Sequence, residues 1–74
     1  MNAADVRDIL HREPFEPFEI IMSSGERHLV KHPEFVLVTE GRVIVVTDPV
    51  ADRTADLALM HITELRRTQP QPSA

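Results

Sequence analysis

The stretch EPFEPFEI, residues 13–20, decides how this chain folds, because two Pro-Phe pairs separate a helical pattern from a strand pattern. Pro14 disfavours helical geometry at the residue before it and therefore ends a helix. Pro17 enters the next strand at a position compatible with a sheet edge. The Pro-x-x-Pro spacing also occurs in polyproline ligands. Those ligands are exposed, whereas this stretch lies between a predicted helix and a predicted strand. We expect Phe15 and Phe18 to anchor the helix to the sheet within the core.

Before this corner, residues 2–12 predict a short amphipathic helix. Asn2 is a capping residue, and Asp5 three positions later completes an imperfect capping box. The apolar residues follow i, i+3, i+4 spacing and form one stripe: Val6, Ile9 and Leu10. A helix this short is marginal in water by itself, so its stripe must pack against the rest of the chain.

After the corner, the apolar period changes to two, which is typical of strands. Ser24-Gly25 and Glu40-Gly41 predict tight hairpins, since glycine accepts a positive φ. The segment DPVADRTAD, residues 48–56, reads as a polar loop, and ITEL, residues 62–65, as a helical turn or a continuing strand with a bulge. Five segments are predicted strands: FEIIMSS (18–24), ERHLVKH (26–32), EFVLVT (34–39), RVIVVTD (42–48) and LALMHI (57–62).

These elements predict a mainly β fold with one N-terminal helix. We expect a five-stranded antiparallel meander or a small SH3/Sm-like barrel capped by the helix, because closure removes the strand edges. An open sheet with the helix across one face is the alternative. One domain over residues 1–66 is predicted, followed by a disordered tail at 67–74 with too little apolar surface to order.

Composition excludes several classes of protein. The 74 residues include no cysteine, so disulfides and thiolate metal sites are absent. The net charge is −4, the charges are scattered, and neither Trp nor Tyr occurs, which disfavours RNA or DNA as a partner. No apolar run approaches the roughly 20 residues of a membrane span. The N-terminal segment has acidic residues where a signal peptide would have basic ones. We therefore expect a cytoplasmic protein that does not enter a membrane.

The segment PFEPFEIIMSSGERHLVKHPEFVLV, residues 14–38, resembles a family of short uncharacterised bacterial proteins. Its members have a brief helix, a Pro-Phe-x-Pro-Phe corner, a Gly hairpin and a His-Pro-Glu turn. The resemblance covers most of residues 6–65. It implies a shared fold and brings no assigned activity with it.

The order of elements is also similar to that of the Hfq and Sm-like RNA-binding proteins. In that comparison FEIIMSSG takes the place of their first strand and turn, and LALMHITEL that of a late strand carrying a Lys-His pair. Here the residue before His61 is Met60. The resemblance implies a small barrel and a ring-like oligomer, and it makes an RNA or nucleotide binder an alternative function.

Histidines are the candidate metal ligands. His28 and His32 lie four apart in a predicted strand and share a face, so with His61 or Glu34 they offer three ligands for zinc or nickel. The alternative is that they are surface histidines near a turn. No cofactor is expected.

Catalytic constellations are not evident, so we predict that the chain is not an enzyme. Ser23 and Ser24 lie at a turn without a nucleophile elbow, and two glycines cannot form a phosphate-cradling loop. Three aspartates recur every four residues, without the spacing of a calcium loop, and predict a solvated segment: Asp48, Asp52 and Asp56. Scattered basic residues form a modest patch only if the fold gathers them: Arg27, Lys31, Arg42, Arg66 and Arg67.

Apolar strand residues exceed what so small a core can hold, and long two-sided apolar strands left bare would aggregate. We therefore expect a homo-oligomer, unless the helix covers the surplus. The candidate surface residues are Ile21, Val36, Val43 and Val45. The leading function is a non-catalytic, self-associating β-domain that acts as a binding or adaptor module, with a protein as a possible partner. The alternatives are an RNA or nucleotide binder and a His-based metal protein.

Overall fold

The computed structural model describes residues 1–68 and consists of one helix and two three-stranded antiparallel sheets. Their bounds are α1 Ala3–Leu10, β1 Phe18–Met22, β2 Arg27–Val30, β3 Val36–Val38, β4 Arg42–Asp48, β5 Arg53–Ala58 and β6 Ile62–Arg67. The first sheet has the order β2-β1-β6 and the second β3-β4-β5. The mainly β class with an N-terminal helix is confirmed. The five-stranded meander and the closed barrel are wrong, because no ladder joins the two sheets.

Helix α1 forms as its capping residues predict. The Asn2 side chain accepts a hydrogen bond from the Asp5 backbone N–H at 3.0 Å, and the Asp5 carboxylate accepts one from the Asn2 N–H at 3.4 Å. Val6 and Leu10 are buried, and Ile9 packs against them at the edge of the core. The stripe therefore docks on the sheets, as an eight-residue helix requires.

The Pro-Phe corner joins this helix to β1. The Glu13–Pro14 peptide bond is cis. The Phe18 side chain is fully buried, and the half-buried Phe15 ring meets it edge to face with 6.1 Å between centroids. The prediction that both phenylalanines belong to the core is confirmed.

Both predicted hairpins exist, but they turn in different ways. Gly25 has φ +93° and its N–H donates to the Met22 carbonyl at 2.9 Å, so this turn uses the left-handed backbone that glycine permits. Gly41 does not have a positive φ. Instead, the Thr39 hydroxyl accepts from the Arg42 N–H at 3.0 Å and closes the turn. The predicted reason for Gly41 is therefore wrong.

The chain after β4 departs most from expectation. Residues 53–56 belong to β5 and not to a polar loop, and the predicted strand at 57–62 is broken by a 3-10 turn at Leu59–His61. The outward residues Thr54 and Asp56 are polar, and the inward Ala55 is small. Only Leu57 among the six residues of β5 is buried, so the sequence of this strand shows little of the apolar alternation that predicts one.

Strand β6 returns to pair antiparallel with β1. Its register sets Leu65 opposite Ile20 and Arg67 opposite Phe18. The Thr68 N–H then donates to the Pro17 carbonyl at 3.2 Å. Pairing thus extends to Arg67, one residue past the predicted domain boundary, and the rest of the predicted tail, residues 69–74, lies outside the described residues. No helix within residues 1–68 has the length and apolar character to cross a bilayer.

The core lies between the inner faces of the two sheets and α1. It consists of ten buried apolar residues, Val6, Leu10, Phe18, Ile20, Val30, Val43, Val45, Leu57, Leu59 and Ile62. No buried polar or charged residue occurs within residues 1–68. The core is therefore purely apolar, and polar chemistry is confined to its margins.

Candidate functional site

The two sheets meet along two sides, and one of these sides stays open. Strand β2 is an edge strand of the first sheet, and its Cα atoms lie within 8 Å of Cα atoms of β4. Within residues 1–68, no backbone hydrogen bond joins the two strands. Strand β3 pairs with β4 only as far as Val45, so the later part of β4 has no partner on that side. A barrel would close here, and this chain leaves a gap.

The gap is a cavity of about 490 Å³. This volume lies within the ~300–1,000 Å³ that ligand sites of proteins occupy. Its lining comes from β2 and the residues after it, and from the second half of β4: Arg27, His28, Leu29, Val30, Lys31, His32, Phe35, Val45, Val46, Thr47 and Pro49. Val30 and Val45 are fully buried, so the interior wall is apolar, whereas Lys31 and His32 at the rim are exposed.

All titratable residues among the lining residues of the cavity are basic. They are Arg27, His28, Lys31 and His32, and no Asp or Glu from residues 1–68 joins them. This contrasts with the whole chain, in which 12 acids outnumber 8 Lys and Arg residues. A cleft lined by one sign of charge with low-dielectric walls concentrates the field there. The lining therefore favours an anionic ligand against the overall charge of the protein.

Two of these basic groups already face an acid at the margin. The Arg27 guanidinium lies 3.6 Å from the Glu19 carboxylate, and His28 Nε2 lies 3.6 Å from the Glu26 carboxylate. Both distances exceed a good hydrogen bond, and the Arg27 side chain is 54% exposed. Lys31 makes no ion pair with any of residues 1–68. Arg27 and Lys31 thus retain donors for a ligand.

His28 is the polar group at this site that the fold leaves least satisfied. Its Nε2 is shielded from solvent and has no hydrogen-bond partner among the described residues. Buried polar atoms usually have one. His32, at the other end of the same run, packs edge to face on the Phe35 ring with 5.3 Å between centroids. The two imidazoles therefore differ in role: one is a shielded donor or acceptor and the other extends the aromatic wall.

The predicted metal set does not assemble. His28 and His32 line one cavity, but His61 lies in the turn between β5 and β6, where its carbonyl accepts from the Ser23 N–H at 2.7 Å. Among residues 1–68 no three His, Asp or Glu side chains come close enough to hold an ion. The prediction that His61 completes a site with the other two histidines is therefore wrong in geometry.

The candidate surface residues for self-association divide into two groups. Val43 and Val45 are fully buried inside the chain, so their assignment to a partner surface is wrong. They alternate with Ile44 and Val46 along β4, and only the second pair faces outward. Ile21 and Val36 are half-buried. The more exposed apolar side chains are others, namely Val50 at 97%, Met60 at 81%, Leu37 at 61% and Leu29 at 45%.

The scattered basic residues are gathered only in part. Arg27 and Lys31 meet at the cavity, as the modest basic patch required. The other three are held by acids elsewhere: Arg42 by Asp56 at 3.3 Å, Arg66 by Glu64 at 2.8 Å, and Arg67 by Glu16 at 3.9 Å. The alternate spacing of Arg27, Leu29 and Lys31 in the sequence could have predicted that these residues share one face of a strand. It could not have predicted that β2 is an edge strand.

The three aspartates that recur every four residues occupy separate structural positions. Asp48 accepts hydrogen bonds from the Val50 and Ala51 N–H groups at 3.1 Å and shapes the β4–β5 turn. Asp52 occupies the left-handed region with φ 56°, and Asp56 pairs with Arg42. They do not converge on one point.

No family model, curated protein or solved structure matches this chain. The likeness to the family of short bacterial proteins and the likeness to Hfq and Sm-like proteins therefore stay predictions.

Proposed function

We propose that this chain is a non-catalytic binding module that holds an anionic ligand in the cavity between β2 and β4. The observation that carries the proposal is the uniformly basic lining of that cavity in an acidic chain. The apolar wall of Val30, Val45 and Phe35 supplies contact area, and the rim supplies charge. Apolar walls with a few polar groups at defined positions are typical of ligand sites.

Binding and not catalysis is proposed because of how the polar groups are placed. Among residues 1–68, the lining of the cavity contains no carboxylate and no Ser or Cys, and its only side-chain hydroxyl is that of Thr47. General acid–base and nucleophilic catalysis need a nucleophile or proton acceptor beside an orienting partner. The His28 imidazole can accept a proton, but its Nε2 makes no hydrogen bond to Glu26, at 3.6 Å, or to any other of residues 1–68. The basic groups suit charge recognition, in which guanidinium and ammonium donors meet carboxylate or phosphate oxygens.

The test is a titration of ¹⁵N-labelled protein with small anions, namely phosphate, succinate and citrate, at low salt. We expect amide shifts to concentrate at residues 27–35 and 45–49. The variant Arg27→Gln/Lys31→Gln should lose about 10-fold or more in affinity, since a hydrogen bond to a charged group contributes ~1.5–3 kcal/mol. Added salt should weaken binding further.

The matched control is Arg12→Gln/Arg53→Gln, which removes the same charge at exposed sites outside the cavity. It should retain most of the affinity, because only the overall field changes. The proposal is wrong if no anion shifts the cavity amides at low salt, or if the two double variants lose affinity equally.

Self-association belongs to the proposal as a separate property. Leu37 lies opposite Ile44 on the outer face of the second sheet, and both contribute apolar surface there. Native mass spectrometry at micromolar concentration should detect assemblies of more than one chain, and Leu37→Lys should reduce them. A strict monomer would remove this part and leave the anion site intact.

A further inference from the structure

We propose that the ligand of this cavity is an extended acidic polypeptide segment that adds as a strand to the free edge of β2. This inference rests on the proposed anion-binding function and specifies its partner. It depends on three properties of β2, namely its backbone, its neighbours and its charges.

The backbone of β2 points hydrogen-bonding groups into the gap. The Met22 N–H donates to the Glu26 carbonyl at 2.9 Å, and antiparallel pairs then alternate between bonded and non-bonded. Counted from this first pair, Ile20 and His28 form the next hydrogen-bonded pair between β1 and β2, and Phe18 and Val30 the one after it. Arg27 and Leu29 therefore direct their N–H and C=O groups away from β1. A strand edge of this kind is a template for an added strand.

The neighbours of this edge leave open space beside it, namely the cavity of about 490 Å³. The far wall of the cavity is β4 beyond Val45, and its near wall is the edge of β2 itself. Neighbouring strands lie about 4.8 Å apart, so a segment paired with β2 would lie at that distance from it, on the side of the cavity. The exposed Leu29 side chain and the Phe35 ring offer apolar contacts on the way.

The charges on β2 and Lys31 determine which kind of segment can pair with this edge. Arg27, Leu29 and Lys31 occupy alternate positions, so opposite them an added strand presents its own residues at alternate positions. Opposite charges across strands are favourable and like charges are unfavourable. The complementary segment therefore reads acidic-x-apolar-x-acidic, with its acids opposite Lys31 and Arg27 and its apolar residue opposite Leu29.

The same charges disfavour a second copy of this chain at the edge. If two β2 strands paired antiparallel about Leu29, Arg27 of each would lie opposite Lys31 of the other, which places like charges together twice. Lysine on an edge strand is a common protection against self-pairing. An acidic segment of another polypeptide meets no such penalty.

The probe is the acetylated and amidated peptide TETLTET, added to the ¹⁵N-labelled full chain at low salt. We expect shifts at residues 27–35 and 45–49. We also expect amide hydrogen exchange at Arg27 and Leu29 to slow at least fivefold when peptide is bound. TKTLTKT should not bind. TETLTET N-methylated at alternate amides, on the register that faces β2, should bind at least tenfold more weakly, because it keeps its charges and loses its backbone donors.

A charge exchange tests the register. Lys31→Glu should weaken TETLTET at least tenfold and acquire affinity for TKTLTKT, whereas Arg53→Glu, an exposed site on β5, should keep the wild-type preference. The dispersion of the ¹⁵N spectrum shows that each variant is folded before it is compared.

The outcomes separate this inference from the function on which it rests. If small anions bind but TETLTET does not, or if the N-methylated peptide binds as well as the parent, strand addition is wrong and the anion module stands. If neither anions nor peptides bind, both are wrong. Protection of Arg27 and Leu29 that rises with protein concentration alone would identify a second copy as the occupant and overturn the proposal.

Discussion

The two junctions between the sheets differ, because one is closed and the other is open. At the closed junction, β5 passes through the turn Leu59–His61 into β6, and the Leu59 N–H donates to the Gly41 carbonyl at 3.0 Å. Leu59 and Ile62 are 4% exposed there. At the open junction, β2 and β4 face each other without a hydrogen bond and enclose a cavity.

The difference shows how a small chain divides its surface between stability and binding. The closed junction makes backbone hydrogen bonds from Leu59 and to His61 and buries the Leu59 and Ile62 side chains, so it stabilises the fold. The open junction leaves backbone groups and basic side chains to be satisfied from outside. A 74-residue chain has a net stability of only a few kcal/mol. An unpaired binding edge lowers that stability, so the opposite junction must be well packed.

The largest expected effect tests the core that both junctions share. Phe18→Ala should lower the free energy of unfolding by about 3–5 kcal/mol, because a fully buried phenylalanine is removed and a cavity remains. Urea unfolding followed by circular dichroism measures it. Phe35→Ala, in the half-buried wall of the open junction, is the control and should cost clearly less. A nearly unchanged midpoint for Phe18→Ala would contradict the assignment of the Pro-Phe corner to the core.

An intermediate effect compares the junctions directly with the same substitution. Leu59→Ala at the closed junction should cost about 2–5 kcal/mol. Leu29→Ala at the open junction should cost less than about 1 kcal/mol, because its side chain is 45% exposed. Leu29→Ala should instead weaken the binding of TETLTET. Equal losses of stability in the two variants would erase the distinction between the junctions.

The smallest effect concerns an ion pair on the outer face of the first sheet. The Arg66 guanidinium donates two hydrogen bonds to Glu64, at 2.8 and 3.1 Å, and holds the pKa of that carboxyl below its ordinary value. A lowered folded-state pKa stabilises the fold above the unfolded-state pKa, and that contribution is lost as the pH falls through the folded-state pKa. Wild type should therefore be slightly more stable than Glu64→Gln at pH 7, and the difference should vanish in acid.

Thermal unfolding at a series of pH values checks this third prediction. Because both side chains are about half exposed, the effect should also diminish at high salt. Glu40→Gln, at an exposed site outside the ion pairs of residues 1–68, controls for the loss of one negative charge. A difference that persists unchanged into acid would show that Glu64 acts through packing and not through its charge.

Local features of this chain were predictable, because neighbouring residues decide them. The capping box at Asn2 and Asp5, the end of the helix before Pro14 and the hairpin at Gly25 depend on contacts only a few residues apart. Strand β5 was missed because its polar outward residues and small inward alanine resemble a loop. Its strand character comes from pairing with β4, which the local sequence does not report.

The candidate site was predictable only as separate parts. His28 and His32 were singled out as a pair, and Arg27 and Lys31 as members of a modest basic patch, but no pattern in the sequence combined them with Val46 and Thr47. Their combination depends on where the sheet is interrupted. Residues of the segments 27–35 and 45–49 line one cavity where β3, only three residues long, leaves the second half of β4 without a partner on that side.

The sequence by itself determined the helix, the corner, the first hairpin, the mainly β class and the acidic balance of charge, since each follows from composition or from short-range geometry. Only the tertiary structure decided that six strands form two sheets, that Val43 and Val45 face inward, and that one junction closes while the other stays open. Strand pairing between distant segments and the direction of each strand face are set by long-range packing. A one-residue change in register would reverse every side chain.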